Sequence, residues 1–232
     1  MKRILVCEDE DAIRDFVVIN LKRAGYEVVD VPSGEDAIEI YDKYEGDFEV
    51  ALLDLMMPGM DGFQLCKWLR SRSTTIGIIV LSAKTQEMDK VNALMIGADD
   101  YITKPFSPSE LVARVDAIYR RVTLNSELKP TKSDIVCGPF RINEKSRTIF
   151  KNDKAIELTQ VEYHIMEYFM KNQGSALDRK SILQQIWGEN YYGDDKIVDV
   201  NIRRLRMKIE DDPSNPKYII TIWGYGYKWE AY

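Results

Sequence analysis

Asp54 ends the apolar run Val50-Ala51-Leu52-Leu53 and leads into Leu55-Met56-Met57-Pro58-Gly59-Met60-Asp61-Gly62. Three further apolar runs end in polar residues: Ile4-Leu5-Val6-Cys7 in Glu8-Asp9, Ile78-Ile79-Val80-Leu81 in Ser82, and Tyr101-Ile102-Thr103 in Lys104-Pro105. Glu8, Asp9 and Asp54 brought together would repel one another unless a cation sat among them, and an all-oxygen donor set favours Mg²⁺. A carboxylate can attack phosphorus when the transferring oxygens are neutralised and held in line. The set predicts an aspartyl phosphate on Asp54. Lys104 supplies a positive charge for one phosphoryl oxygen, Ser82 a hydroxyl donor for another, and the metal takes a third. Nothing in the set activates water for a second chemical step.

This chemistry needs elements that bring four distant segments to one place. Short, fully apolar runs read as buried parallel strands, and their polar terminal residues then fall at the carboxyl edge of one sheet, where open α/β sheets place their sites. Between them lie helical stripes: Ile13, Phe16, Val17 and Leu21; Ala37, Ile38 and Tyr41; Leu111, Val112, Val115 and Ile118. Strand and helix alternate five times, which predicts a doubly wound, five-stranded parallel sheet. Simpler readings exist for single members. Asp61 before Gly62-Phe63-Gln64-Leu65 reads as a helix cap, and Lys104-Pro105 alone could be an ordinary turn. Asp54 is different, because no helical pattern resumes until Asp61. A hydrolase of the haloacid-dehalogenase type would also use a strand-end Asp and Mg²⁺, but it wants a second acid two residues on, where Met56 stands.

At 232 residues, with 45% hydrophobic and 30% charged, the chain fits one or two globular domains. No run approaches a membrane span and no signal peptide opens it, so a cytoplasmic protein is expected. Cys7, Cys66 and Cys137 are too few and too scattered for a disulfide or metal framework. Charge is uneven. Residues 1–133 carry 17 Lys and Arg against 23 Asp and Glu, whereas 134–232 carry 15 against 15. The polar stretch 123–133 has lost the helical period before it and reads as a short linker. The expected domains are 1–122 and 134–232.

The second half is patterned differently. Phe140-Arg141-Ile142 and Thr148-Ile149-Phe150 read as strands, and Thr159 with Glu162 forms a capping box opening a helix. A second helix is expected from near Arg179 to Trp187, a third from Lys196 to Ile209, and a closing hairpin around Gly224-Tyr225-Gly226. The third helix puts Val198, Ile202, Leu205 and Ile209 on one face. Opposite lie Lys196, Val200, Arg203, Arg204 and Met207, with Asn201, Arg206 and Lys208 flanking. Residues 196–208 hold five cations against one acid, Asp199. Guanidinium groups suit phosphates and guanine edges, Asn can read adenine, and Val200 can meet a thymine methyl, so the helix suits a major groove of double-stranded DNA. A merely solvated charged face is the plainer reading. The hairpin, with Thr221, Trp223, Tyr225, Tyr227, Lys228 and Trp229, tips the balance toward DNA, with Trp229 itself expected in the core. His164 shares its helix face with Val161, Ile165 and Tyr168 and reads as packed.

On Glu8-Asp9, Asp54, Ser82, Tyr101 and Lys104, residues 1 to about 122 resemble the receiver domain of two-component response regulators. The resemblance implies a flavodoxin-like fold and phosphate arriving from a phosphohistidine on a sensor histidine kinase. It also implies a Met56 backbone carbonyl on Mg²⁺, and a switch in which Ser82 is pulled inward and Tyr101 follows. On 158–163, 198–206 and 221–227, the second half resembles the winged helix-turn-helix α+β domain of OmpR/PhoB-type transcription regulators. That likeness implies a four-stranded platform, a three-helix core, a recognition helix and a wing, in which relatives often have Arg where Trp223 stands. It further implies a loop at 188–195 that contacts RNA polymerase, and a phosphorylation-driven homodimer paired through Lys90 with Glu110 and Asp100 with Arg114. Such a dimer would read direct-repeat promoter sites. A receiver acting through protein contacts alone, or without phosphorylation, is the alternative.

Overall fold

Every strand expected to carry chemistry lies in one sheet. The structure, a computed structural model, describes residues 2–83, 87–123, 134–189, 191 and 193–231. The chain divides into two compact units, residues 1–124 and 125–232. In the first, strands β1 (Arg3–Cys7), β2 (Glu27–Val31), β3 (Val50–Asp54), β4 (Gly77–Ser82) and β5 (Asp100–Thr103) alternate with helices α1 (Asp11–Arg23), α2 (Gly34–Lys43), α3 (Gly62–Arg72), α4 (Glu87–Ile96) and α5 (Pro108–Thr123). The strands pair in parallel in the order β2-β1-β3-β4-β5. Their order reverses between β1 and β3, so the carboxyl ends of those two strands frame the crevice that doubly wound sheets use. Glu8 and Asp9 follow one, and Asp54 ends the other.

Buried apolar residues hold this sheet rigid. Ile4, Val6, Leu52, Ile79, Leu81 and Ile102 pack against Val17 and Leu21 of α1 and Leu111, Val115 and Ile118 of α5. Each fully buried aliphatic side chain contributes about 1.5–3 kcal/mol of transfer free energy. Local chemistry then sets the helix starts at the site. Ser33 accepts from the Asp36 N–H to start α2. Asp61 and Gln64 form a capping box at α3, as expected for Asp61. Gly62 has a second duty, since a Cβ there would lie 2.0 Å from the Asp54 carbonyl oxygen. Only glycine lets α3 begin this close to the site. The expected linker 123–133 starts one residue too early, because Thr123 is the last residue of α5; the remainder, 124–133, lies outside the described residues.

The second unit opens with an antiparallel sheet, β6 (Ile135–Cys137), β7 (Phe140–Asn143), β8 (Thr148–Lys151) and β9 (Lys154–Ile156), in sequential order. Helices α6 (Gln160–Lys171), α7 (Arg179–Trp187) and α8 (Lys196–Ile209) follow. A three-stranded sheet closes the unit: β11 (Ile219–Ile222) and β12 (Gly226–Trp229) form the hairpin, and β10 (Ala176–Asp178), a strand the pattern did not announce, pairs with β12. Gly224 turns the hairpin at φ +71°. Trp229 is fully buried against Phe140, with ring centroids 5.1 Å apart, so it belongs to the core as expected. Among the described residues, no helix is long and apolar enough to cross a membrane. All three cysteines are buried and unbridged.

Candidate functional site

The carboxyl edge of the parallel sheet gathers the charged residues into one pocket. Carboxylate oxygens of Glu8, Asp9 and Asp54 lie within 4.8 Å of one another. Glu8 and Asp54 are buried and Asp9 is half-buried. Lys104 crosses from the end of β5, placing Nζ 2.7 Å from Glu8 Oε2 and 3.1 Å from Asp54 Oδ2. Its backbone is held by an N–H to Ser82 carbonyl bond of 2.8 Å, and the next peptide bond, to Pro105, is cis. Ser82 is fully buried and Tyr101 nearly so, with the Lys90 ammonium 5.8 Å from the Tyr101 ring centroid. Met56 projects into solvent beside Asp54.

Among the described residues, three carboxylates against one ammonium leave two negative charges for a divalent cation to balance. A second observation fits the same ion. Asp54 Oδ1 is buried with no hydrogen-bond partner among the described residues, and an unsatisfied buried carboxylate oxygen is costly. Hard oxygen donors suit Mg²⁺. Burial pushes the Glu8 carboxyl up to about 7; the Lys104 hydrogen bond pulls against this and the Asp54 charge adds to it. Burial also lowers the Lys104 pKa, but Glu8 and Asp54 outweigh it and hold the group above its ordinary value, hence charged. Cation binding must compete with a proton on Glu8, so Mg²⁺ affinity should weaken as pH falls through about 7. Calorimetric titration of Mg²⁺ across that range checks it, and a Glu8→Gln chain should flatten the dependence.

The expected dimer residues are engaged within the chain. Arg114 Nη1 lies 3.1 Å from Asp100 Oδ1, both side chains buried, and Arg114 Nη2 lies 2.9 Å from Glu110. Arg114 follows Glu110 by one helical turn and lies over β5, which brings both acids to one guanidinium. The pairing of Asp100 with Arg114 expected across a two-fold is therefore an intrachain pair here. Of the loop expected at 188–195, Asp194 and Asp195 are exposed, while Asn190 and Tyr192 lie outside the described residues.

In the second unit the helix α8 carries fewer outward groups than its sequence suggests. Lys196, Arg203, Met207 and Lys208 are exposed, but Val200, Asn201 and Arg204 are buried, correcting their expected place on the DNA-facing side. The apolar stripe marks only the centre of a wider buried arc. Asn201 Nδ2 donates to the Ile197 carbonyl at 2.9 Å, and Arg204 pairs with the fully buried Glu162 at 3.0 Å. Lys208 reaches the other Glu162 oxygen at 2.7 Å and the Glu157 carbonyl at 2.9 Å. Arg206 points at the hairpin, donating to the Ile219 carbonyl at 2.6 Å and Thr221 Oγ1 at 2.8 Å. Trp223, 91% exposed, and Tyr225 project from the turn between β11 and β12. His164 is half-buried, 3.0 Å from Arg147 and 3.4 Å from Glu167. Sequence reasoning missed Glu162 as a partner of two cations. In sequence Glu162 shows only as the acid of a capping box, because its two cationic partners lie 42 and 46 residues further on.

Residues 4–116 match the response regulator receiver domain, and residues 153–229 match the C-terminal domain of transcriptional regulatory proteins. Over 231 residues, covering the full length of both proteins, the chain is 39% identical to the sensory transduction protein RegX3 of Mycolicibacterium smegmatis. Among solved structures it is similar, over the whole of both chains, to a mutant of RitR, 27% identical with a TM-score of 0.78. It is also similar to DrrB, a Thermotoga maritima OmpR/PhoB homolog, at 31% identity and a TM-score of 0.52 over 99% of each chain.

Proposed function

The chain belongs to the two-component response regulators of OmpR/PhoB type, a receiver followed by a DNA-binding domain, and we propose that phosphorylation of Asp54 gates its binding to promoter DNA. The observation that carries this reading is the strand-end pocket, where a buried carboxylate with an unsatisfied oxygen faces a charged lysine. Asp54 attacks the phosphorus of a phosphohistidine on a sensor kinase. The new O–P bond forms as the N–P bond breaks, and the imidazole leaves with the electron pair and takes up a proton. Lys104 Nζ and the Ser82 hydroxyl stabilise the phosphoryl oxygens. Glu8, Asp9, Asp54 and the Met56 carbonyl would hold Mg²⁺, which when bound neutralises charge on the transferring group. The phosphoryl group carries about −1.5 to −2 charges where the carboxylate carried about −1, and this added negative charge and its acceptor oxygens beside Ser82 and Tyr101 bias the packing of α4 and β5.

Dimerisation is the simplest coupling of that change to DNA. Lys90, Asp100, Glu110 and Arg114 form the proposed face, with the intrachain Asp100–Arg114 pair shared or exchanged across the two-fold. Two copies would then read direct-repeat sites, with Lys196 and Arg203 of α8 at the major groove and Trp223 and Tyr225 at the adjacent groove. Contact with RNA polymerase falls to the loop 188–195.

Incubating the full chain with acetyl phosphate tests this, with intact mass and gel shift on genomic fragments read from the same samples. The expected result is one added phosphoryl group that requires Mg²⁺, together with tighter DNA binding. Mass gain with unchanged DNA binding would overturn the gating. At the DNA face, Arg203→Ala should weaken binding by about 1–3 kcal/mol, on the order of tenfold or more, by gel shift at fixed salt.

A further inference from the structure

The lone acid of the basic helix sits at the junction of three elements. Asp199 Oδ1, on the first turn of α8, accepts from Arg179 Nε at the start of α7 at 2.8 Å and from the Tyr227 hydroxyl of β12 at 2.6 Å. Two guanidinium groups contact the Tyr227 ring, Arg179 at 5.1 Å and Arg206 at 5.5 Å from its centroid. Arg206 in turn binds the opposite hairpin strand through Ile219 and Thr221. One carboxylate oxygen and one phenol thus tie the helix that presents Arg203 to the hairpin that presents Trp223. Charge alone would argue against an acid here, since a carboxylate near a phosphate backbone is repelled.

We infer that Asp199 is a positioning residue for DNA recognition: through Tyr227 and Arg179 it fixes the spacing of the helix α8 and the β11–β12 hairpin, so that both engage one duplex without rearranging. The inference rests on the DNA-binding reading. Pre-set spacing removes an ordering cost at the moment of binding. It matters only where both elements must dock at once. A sequence-selected site demands that; a non-specific duplex, held by phosphates alone, does not.

The two roles predict opposite signs. Removing the carboxylate takes a negative charge away from the DNA side, so simple electrostatics predicts tighter binding to any duplex. Loss of positioning predicts weaker binding to the selected site alone. Tyr227→Phe makes the cleaner test, because it removes one hydroxyl and leaves every charge in place.

The experiment uses the full chain, treated with acetyl phosphate and Mg²⁺, to enrich duplexes from a random-sequence pool. The enriched duplex and a scrambled one of equal composition are then titrated with wild type, Tyr227→Phe and Asp199→Ala. The expected result is that both variants lower the ratio of selected to scrambled affinity about tenfold, while melting as the wild type does. If one variant melts early, the other decides. A ratio within about twofold of wild type in the folded variants, or Asp199→Ala tightening both duplexes equally, overturns the inference. A wild type that enriches no sequence fails differently: it removes the DNA-binding reading itself, and the positioning role with it.

Discussion

Glu162→Ala is expected to lower the folding stability of the C-terminal unit by about 3–5 kcal/mol, the usual cost of deleting one partner of a buried ion pair. The residue is fully buried and serves three groups at once: Arg204 at 3.0 Å, Lys208 at 2.7 Å, and the Thr159 N–H at 2.8 Å in the capping box. Alanine leaves Arg204 buried beside an empty volume and takes away the acceptor of the Thr159 N–H, although the Thr159 hydroxyl still caps α6. Denaturant unfolding of the full chain, followed by tryptophan fluorescence, should move the transition that exposes Trp187 and Trp229 and leave that of the receiver in place. A shift below about 1 kcal/mol would mean that solvent already screens the pair. The sign of the pH dependence follows. Burial works against the Glu162 charge, but Arg204 and Lys208 prevail and hold its pKa below the ordinary value. The pairing therefore stabilises the fold above the ordinary carboxylate range, and that stability is lost as pH falls through the lowered pKa.

Asp54→Ala is expected to abolish phosphoryl gain from acetyl phosphate completely, while leaving the N-terminal unit as stable as the wild type or more so. Both halves come from one geometry. The phosphorus acceptor is gone, and so is a buried carboxylate whose Oδ1 has no hydrogen-bond partner among the described residues and whose charge raises the Glu8 pKa. Lys104 keeps Glu8 at 2.7 Å, so no cation is stranded. Such a trade of stability for activity is usual where a site stores repulsion. Mass gain that persists in Asp54→Ala would move the acceptor elsewhere, and a marked loss of thermal stability would show the carboxylate to be structural.

The receiver pocket was legible because each of its parts announces itself locally. A largely apolar run of three or four residues followed by Glu8-Asp9, Asp54, Ser82 or Lys104 needs no knowledge of the rest of the chain, and the sheet rules then bring the ends together. The helix α8 was legible in extent and not in orientation. Its apolar stripe gave the core side correctly at Val198, Ile202, Leu205 and Ile209. It could not show that α6 lies close enough to bury Arg204 as well, since the Glu162 that satisfies it is 42 residues away in the chain. Polar side chains at the edge of a buried arc look like surface until their partners are known. Asp100 and Arg114 were equally hard to place, because their intrachain contact is set by the packing of α5 on β5 rather than by local pattern.

The engagement of Arg204, Arg206 and the Lys208 ammonium by acceptors of the protein itself bears on how steeply this regulator would respond. Few cations of α8 then meet phosphates, so one winged-helix unit releases few counterions on docking and its affinity should depend only mildly on salt. A single weak module occupies little DNA at cellular concentrations. On the proposed dimer, two modules joined through their receivers would gain the effective concentration of an intramolecular second contact, and promoter occupancy would rise with about the square of the phosphorylated fraction. The internal ion pairs that stiffen the helix would thereby make the output a threshold rather than a graded reading of kinase activity.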